Sequence, residues 1–364
     1  MIGVIADDLS GAAEIAAAAL RRGLSAEVQT RLDPRAKADV ICVDTDSRSM
    51  TAAAATIAVG AAARRMREAG AGWIYKKCDS VLRGNVLAEL LAAMEALGFS
   101  RAILVPANPS RGRVVRGGHL FVKGQPLHDT HFATDPDHPR TGSNLRELLG
   151  SVAEGVSTPD AESEADLARH AGMVGAGTLA AGGVDFFEAM LGARGFASAG
   201  SRAGDGTADR LSRADGPGGS RPPTMVVCGS AASWTKRREM AAGRGVPTFR
   251  LVHGAAEIAE AFRGSRRVLV GIGEMDAAPG ASRPALLRRL SRIGADVLRA
   301  VRVEHVMLEG GATASAFVRE LGWSSLVACD TAAPSICTFR TGGEGTPVIS
   351  IKPGSYDWPA NLWP

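Results

Sequence analysis

The sequence has few of the features that mark several common protein classes. Aromatic residues make up only 5% of the 364 residues, which argues against the stacking platforms of many nucleic-acid-binding proteins. No apolar run reaches the roughly 18 residues of a membrane span, and no basic segment precedes an export-length apolar stretch near the N-terminus. The five cysteines are far apart and form no C-x-x-C pair, which favours free thiols in a reducing compartment over disulfides or a zinc cage. These absences predict a cytoplasmic protein that binds neither nucleic acid nor a membrane.

Two nucleotide-binding signatures are also absent. The chain contains no G-x-x-x-x-G-K-[ST] loop, so the commonest ATP-binding motif is excluded. No G-x-G-x-x-G sequence stands at a first strand-to-helix turn, which counts against a nucleotide-dependent oxidoreductase. Any nucleotide phosphates must therefore be held in another way.

The net charge of +4 does not by itself indicate a nucleic-acid site. The densest basic segment, residues 283–302, places Arg288, Arg292 and Arg299 at helical spacing. These arginines lie opposite an apolar stripe formed by Leu286, Leu290, Ile293 and Val297. That pattern predicts a solvated helix face over a buried one.

What the sequence does contain is a regular alternation of strands and helices. At 364 residues the chain is longer than one hydrophobic core usually supports, so two domains are expected. In the first part, strands are predicted at 2–6, 40–43, 72–75 and 102–105, and helices at 12–22, 51–69 and 86–97. From residue 224 the alternation resumes, with strands at 225–228, 268–272, 306–308 and 348–351 and helices near 235–243, 255–263, 283–301 and 313–321.

Residues 197–223 separate the two parts and are rich in glycine, serine, proline and charged residues. Such a composition is typical of a linker or mobile loop. The predicted fold is therefore α/β, with two doubly wound, mostly parallel domains at residues 1–196 and 224–364 and a cleft between them.

Polar clusters follow the predicted strands of the first domain. They are Asp7-Asp8, Asp46-Ser47-Arg48, Asp79-Ser80 and Asn108. Because the carboxyl ends of parallel strands share one edge, these clusters are expected to converge on one ligand site. Arg48 and Arg83 can clamp a carboxylate, and the aspartates can accept hydrogen bonds from hydroxyls, so an anionic, polyhydroxylated ligand is predicted. The alternative is that these residues only cap helices and shape turns.

A dense group of metal-ligand types lies further along the same domain. It consists of His128, His131, Asp135, Asp137 and His138. Two prolines within the group favour an extended loop, and no pair of histidines stands at helical i, i+4 spacing. A metal site here is the less favoured alternative, and no residue identifies itself as a metal ligand.

Three glycine-containing turns in the second domain are candidates for binding phosphate. They are Gly229-Ser230, the segment from Gly310 to Thr313, and Lys352-Pro353-Gly354. Glycine lets the backbone approach an oxyanion closely, and a following helix directs its positive end at the same point. The alternative is that each turn only connects a strand to the next element.

The order of these motifs resembles that of the four-carbon acid sugar kinases. The resemblance rests on residues 5–12 (Ile-Ala-Asp-Asp-Leu-Ser-Gly-Ala), on Asp46-Ser47-Arg48, and on the Lys-Lys-x-Asp-Ser-x-Leu-Arg-Gly-Asn run at 76–85. It continues with the Pro-Ala-x-Pro-x-x-Gly-Arg segment ending at Arg113 and the Gly-His-Leu hairpin of residues 118–130. In the second domain it is looser, because Ala312 stands where the family often carries an acidic residue.

The resemblance implies an ATP-dependent kinase that uses Mg²⁺ and phosphorylates a terminal hydroxyl of a tetronate or 3-oxotetronate. Its implied substrate-binding residues are Asp7, Asp8, Arg48, Lys77, Asp79, Ser80, Arg83, Asn108 and Arg113, with Asp8 or Asp79 as the catalytic base. Its implied nucleotide-binding residues are Ser230, Gly310, Gly311, Ala312, Thr313, Lys352 and Gly354. The competing hypothesis is a non-catalytic sugar-acid-binding protein whose nucleotide domain has drifted. The oligomeric state is left open, a homodimer included.

Overall fold

The computed structural model of the protein describes residues 1–135, 137–150, 153–196, 205–211, 221–273, 276, 282–333, 335–343, 345–354 and 356–364. The chain forms two compact units, an N-terminal unit (Met1–Arg202) and a C-terminal unit (Ala203–Pro364). Most of the predicted linker at 197–223 lies outside the described residues, and the linker stays a prediction. No helix in the described ranges combines the length and the apolar character needed to cross a membrane.

The N-terminal unit contains a parallel sheet and a small antiparallel one. Its strands are β1 (Ile2–Ala6), β2 (Ala26–Gln29), β3 (Val40–Asp44), β4 (Trp73–Lys77), β5 (Arg101–Val105), β6 (Arg113–Arg116), β7 (His119–Val122), β8 (Gln125–Pro126), β9 (Val156–Ser157) and β10 (Thr178–Gly182). Its helices are α1 (Leu9–Arg21), α2 (Ala52–Glu68), α3 (Val86–Leu97), α4 (Leu145–Leu149), α5 (Glu164–Gly172) and α6 (Val184–Ala193). The parallel sheet has the order β2-β3-β1-β4-β10-β5-β9, and β6, β7 and β8 form the antiparallel sheet.

The helices of this unit begin and end where local chemistry allows. Helix α1 begins at Leu9, three residues before the predicted start, because the Asp8 side chain accepts a hydrogen bond from the Gly11 backbone N–H at 2.8 Å. Helix α3 matches its predicted bounds and ends at Gly98, whose φ of +78° favours glycine. Local capping thus supports the strand and helix pattern predicted from sequence.

One strand extends further than the sequence predicts. Lys76 and Lys77 were expected in the turn after a strand, but they are the last residues of β4 and their side chains are buried. Lys76 pairs with Glu89 at 2.8 Å, and Lys77 lies 3.5 Å from Glu14. These buried carboxylates compensate for the loss of water around the two ammonium groups, so lysine can end a central strand.

The C-terminal unit contains a mixed sheet. Its strands are β11 (Thr224–Cys228), β12 (Thr248–Arg250), β13 (Arg267–Gly271), β14 (His305–Glu309), β15 (Ser325–Ala333), β16 (Ile336–Arg340) and β17 (Val348–Lys352). Its helices are α7 (Thr207–Leu211), α8 (Ala231–Ala242), α9 (Ala255–Ser265), α10 (Arg283–Ala300) and α11 (Gly311–Glu320). The order is β12-β13-β11-β14-β17-β16-β15, with parallel pairing from β12 to β17 and antiparallel pairing beyond.

Packing in this unit follows the hydrophobic pattern of the sequence. Its core includes Trp234, Met307, Trp358 and Trp363. Along α10 the arginines at 288, 292 and 299 are exposed, whereas residues such as Leu290 and Val297 are buried. The predicted solvated face of this helix is therefore confirmed, and the two units are α/β as expected.

Candidate functional site

The candidate site of the N-terminal unit lies where its strand order reverses. The chain passes from β1 to β2 and β3 on one side, and then to β4 on the other side of β1. Ligands of open α/β sheets bind at such a reversal, beyond the carboxyl ends of the strands. The residues found there are Asp7, Asp8, Arg48, Asp79 and Arg83, which we call the acid–arginine cluster.

Arg48 joins the turns after β1 and β3. Its Nε donates to Asp7 Oδ2 at 2.7 Å, and its two terminal nitrogens each donate to an oxygen of Asp8 at 2.8 Å. The loop that carries Arg48 is held by Asn85, whose Nδ2 donates to the Met50 carbonyl at 2.8 Å. The predicted convergence of these turns is therefore seen, with the whole arginine fork engaged by protein carboxylates.

Arg83 forms a second bidentate pair. Its Nε and Nη2 donate to the two oxygens of Asp79 at 2.9 and 2.8 Å. Asp79 Oδ2 also accepts the backbone N–H groups of Val81 at 3.3 Å and of Arg83 at 3.1 Å. The third nitrogen of the guanidinium, Nη1, donates to Asp135 Oδ2 at 3.1 Å.

Asp7 and Asp79 are buried, and the pKa of each is lowered by neighbouring cations. Burial favours the neutral form of Asp79, but Arg83 and Arg48 outweigh it and hold its pKa well below the usual range. Burial likewise opposes ionisation of Asp7, and the charges of Arg48 and Lys76 lower its pKa nonetheless. Asp7 Oδ1 is buried and has no hydrogen-bond partner among the described residues. This oxygen is therefore an acceptor available to a ligand.

Other predicted substrate residues have partners of their own. Lys77 Nζ donates to the Cys78 carbonyl at 2.8 Å, and Arg113 Nη1 donates to Ser80 Oγ. Asn108 Oδ1 accepts the Asp185 backbone N–H at 3.1 Å, in the first turn of α6. Asn108 thus contributes to a helix N-terminus, and its contact with a substrate stays a prediction.

Sequence reasoning did not predict that the loop following β8 contacts Arg83 and Arg113. Phe132 lies 5.5 Å from the Arg83 guanidinium and 5.4 Å from that of Arg113, measured to the ring centroid. Asp135, considered above only as a metal ligand, binds Arg83. Its Oδ1 also accepts the backbone N–H of His138 at 2.9 Å. The one sequence signal was the density of histidines and aspartates between residues 128 and 138.

The described histidines and aspartates of this loop do not come together as a metal centre. Throughout the described parts of the chain, no group of three or more histidine, cysteine, aspartate or glutamate side chains is placed to hold a metal ion. Asp135 instead fixes the loop through backbone N–H groups and Arg83. Asp135 therefore connects this loop to the acid–arginine cluster.

In the C-terminal unit the three predicted phosphate turns lie together. A Cβ added to Gly229 would lie 2.1 Å from Thr313 Oγ1, so the turns after β11 and β14 are in close contact. The Gly310 N–H donates to the Lys352 carbonyl at 2.8 Å, which joins the turns after β14 and β17. A Cβ on Gly354 would lie 3.9 Å from Gly310 Cα. Strand order again reverses at this point, between β11 and its two neighbours β13 and β14.

Two helices begin at these turns, so their N-termini lie beside them. Helix α8 begins after Ser230 and α11 after Gly310, and among the described residues no side chain caps either of them. Gly310 has φ of +93°, which favours glycine, and Gly311, Ala312 and Thr313 form the first turn of α11. Free N–H groups and the helix dipole together favour an anion at such a place.

Lys352 is held inside the unit. Its side chain is fully buried, with Nζ 3.3 Å from Glu309 and donating to the Pro353 carbonyl at 2.9 Å. Burial lowers the pKa of Lys352, and the charge of Glu309 opposes that shift. Arg237, which sequence reasoning missed, donates to both oxygens of Glu309 at 2.7 and 3.1 Å. A contact between Lys352 and a phosphate stays a prediction.

Comparisons with known proteins find sequences similar to this chain. The family model described as a sugar-binding N-terminal domain matches residues 2–181. A D-threonate kinase of Bordetella bronchiseptica is 31% identical over 382 residues, which cover 97% of this chain and 94% of that protein. A 3-oxo-tetronate kinase of Actinobacillus succinogenes is 36% identical over 163 residues, or 43% of this chain and 39% of the relative.

Solved structures share the fold. A Haemophilus influenzae protein of known crystal structure superposes with a TM-score of 0.70 at 21% identity, covering 99% of this chain and 98% of the other. The likeness to the D-threonate kinase extends through both units. The chain therefore belongs to the four-carbon acid sugar kinase family.

Proposed function

We propose that the protein is an ATP-dependent kinase that phosphorylates a terminal hydroxyl of a four-carbon sugar acid, a tetronate or 3-oxotetronate. The observation that carries the proposal is the acid–arginine cluster, which lies at the strand reversal of the unit that matches a sugar-binding domain. Its buried carboxylates can accept hydrogen bonds from the hydroxyls of such an acid, and its arginines bring positive charge to the site. The names of relatives aligned over nearly the full chain support the same reaction.

Asp7 is the best candidate for the base that receives the hydroxyl proton. Both oxygens of Asp8 and of Asp79, the bases favoured by sequence, already accept hydrogen bonds from arginine. Asp7 Oδ1 accepts none within the described ranges. As the proton passes to Asp7, the substrate oxygen bonds to the γ-phosphorus and the bond to the bridging oxygen breaks, so that ADP leaves.

The glycine turns of the C-terminal unit are proposed to hold the nucleotide phosphates. The uncapped N-termini of α8 and α11 offer backbone N–H groups, and Gly310 leaves room beside them, since an added Cβ there would meet only Thr313 Oγ1, at 3.7 Å. Mg²⁺ bound to ATP would neutralise charge on the phosphate oxygens. Glu309 precedes this turn, but its carboxylate is paired with Arg237 and Lys352, so we assign no protein ligand to the metal.

The test is an ADP-release assay on the full chain with Mg-ATP. D-threonate, D-erythronate and 3-oxo-tetronate would be compared with the matching tetritols, which carry the hydroxyls but lack the carboxylate. ADP formation with at least one acid, together with a phosphate monoester detected by ³¹P NMR, is the expected result. No ADP formation with any of the acids would contradict the proposal.

A non-catalytic binding protein remains the second candidate, and Ala312 motivates it. This residue occupies the first turn of α11 and is exposed there, with no charge to offer a nucleotide. Calorimetry separates the two functions. Heat with a sugar acid but none with ADP or ATP in the presence of Mg²⁺ would favour the binding protein over the kinase.

A further inference from the structure

The two arginines expected to clamp the substrate carboxylate are already engaged. Arg48 gives its Nε and both terminal nitrogens to two aspartates. Arg83 likewise gives Nε, Nη1 and Nη2 to Asp79 and Asp135. A substrate carboxylate that displaced these partners would leave buried aspartates without their cations, which costs free energy. A different cation is therefore the better anchor.

Arg140 lies in the loop that follows β8 and that contacts Arg83 through Asp135 and Phe132. Its backbone N–H donates to the Phe132 carbonyl at 2.9 Å, and the Phe132 ring lies against Arg83. Asp135 ties the same loop to Arg83 through one oxygen and to the His138 backbone through the other. Arg140 is thus fixed beside the acid–arginine cluster.

The Arg140 guanidinium has an unused donor. Its Nε is buried and has no acceptor in the parts of the chain that the structure describes. Burial lowers the pKa of Arg140, while the charge of Asp79 acts on it in the opposite sense. Buried N–H groups nearly always have a hydrogen-bond partner, so an acceptor from outside the protein is expected.

His138 also carries a buried nitrogen without a partner. Its Nε2 is buried without a hydrogen-bond partner among the described residues. Burial and the charge of Arg140 lower the pKa of His138, so the neutral ring can exchange a hydrogen bond with a hydroxyl. Two unpartnered polar atoms on one loop point to a ligand with both an anionic group and a hydroxyl.

We infer that Arg140 binds the carboxylate of the substrate and that His138 contacts the same ligand, an assignment that rests on the proposed function. The carboxylate would accept from Nε with one oxygen and from a terminal nitrogen with the other. Arg48 and Arg83 then hold the aspartates that receive the hydroxyls. This makes Arg140 the residue that distinguishes a sugar acid from a neutral sugar.

The test is calorimetric titration of the full chain with D-threonate and with its primary amide, a neutral analogue of nearly the same shape. Arg140→Ala should weaken binding of the acid by about tenfold to a hundredfold, because a charge-assisted pair is lost. Binding of the amide should change by less than about threefold, since no charge is paired in that complex. Arg146→Ala is the matched control, because Arg146 is exposed on α4, and it should leave both affinities unchanged.

Arg140→Lys and Arg140→Gln guard against a variant that fails to fold. Lysine keeps the charge and should recover part of the affinity for the acid, whereas glutamine should not. The inference is overturned if Arg140→Ala and Arg140→Gln bind the acid as tightly as wild type. It is also overturned if they weaken acid and amide equally, which would make Arg140 a support of the loop.

The ADP-release assay distinguishes a failure of this inference from a failure of the proposed function. Normal turnover with unchanged acid affinity in the Arg140 variants would overturn the inference alone. Acid binding that depends on Arg140 without any turnover would overturn the kinase and support the anchor. Wild type that neither binds nor phosphorylates any acid of the panel would overturn both.

Discussion

Replacing Arg83 by alanine tests whether the acid–arginine cluster stabilises the fold in addition to binding a ligand. The variant loses two hydrogen bonds to the buried carboxylate of Asp79, at 2.9 and 2.8 Å. It also loses the link to Asp135. Asp79 would then lie buried with its main cation removed.

The expected loss of stability depends on the hydrogen-bond donors and charges that Asp79 retains in the variant. Removing one partner of a buried ion pair typically costs about 3–5 kcal/mol. Asp79 retains two backbone N–H donors, and Arg48 remains 3.9 Å away, so the lower end applies. We expect the free energy of unfolding to fall by about 3 kcal/mol at pH 7. For a unit of this size, Tm falls by about 2–4 °C for each kcal/mol.

The loss of stability in Arg83→Ala should depend on pH, because Arg83 changes the pKa of Asp79. Arg83 holds the folded-state pKa of Asp79 well below its usual value, so the stabilisation is complete above the unfolded-state pKa of about 3.9. It is lost as the pH falls toward the folded-state pKa. The difference between wild type and Arg83→Ala should therefore be full near neutral pH and should shrink below about pH 4.

Urea unfolding of the full chain at pH 7 and pH 3, followed by circular dichroism, measures this difference. Arg67→Ala is the matched control, because Arg67 is exposed on α2. In the Asp79→Asn background, Arg83→Ala should cost clearly less than in wild type. Equal stability of variant and wild type at pH 7, or a loss that persists in full at pH 3, would refute the reasoning.

Three further substitutions probe the two sites. Gly229→Ala places a Cβ 2.1 Å from Thr313 Oγ1 and should displace the first turn of α11. Calorimetry should then show that ADP affinity is reduced by about tenfold or more, whereas affinity for the sugar acid is unchanged. Lys352→Met leaves buried Glu309 with one cation fewer and should lower the urea-unfolding free energy by about 2–3 kcal/mol. Asp7→Asn should reduce kcat by about a hundredfold or more in the ADP-release assay, with a smaller change in acid affinity.

Each of these has a contrary outcome. Gly254→Ala is the control for Gly229→Ala, because a Cβ added to Gly254 meets nothing within 4 Å, and it should leave ADP binding unchanged. If the two substitutions changed ADP affinity equally, Gly229 would have no specific role in binding the phosphates. Unchanged stability with lost ADP affinity would place the Lys352 ammonium on a phosphate instead of Glu309. A kcat for Asp7→Asn close to wild type would return the base assignment to Asp8 or Asp79.

The sequence determined the elements and the edge of the sheet where chemistry is found. Apolar runs between polar turns predicted β1, β3 and β5, because buried parallel strands need apolar side chains on both faces. Short strands with polar or small residues, such as β2 and β10, carry no such run and were missed. The positions after the strands were predictable, since strand direction alone brings them to one edge.

Only the tertiary structure decided which side chains pair. Sequence order brings Arg48 and Arg83 near the aspartates, but it does not reveal that protein carboxylates occupy both guanidinium groups. It also gives no sign that Arg140 carries an unpartnered donor or that Lys352 turns inward to Glu309. Pairing of charges depends on distances of a few ångströms and on burial, and both are fixed by packing between segments far apart in the chain.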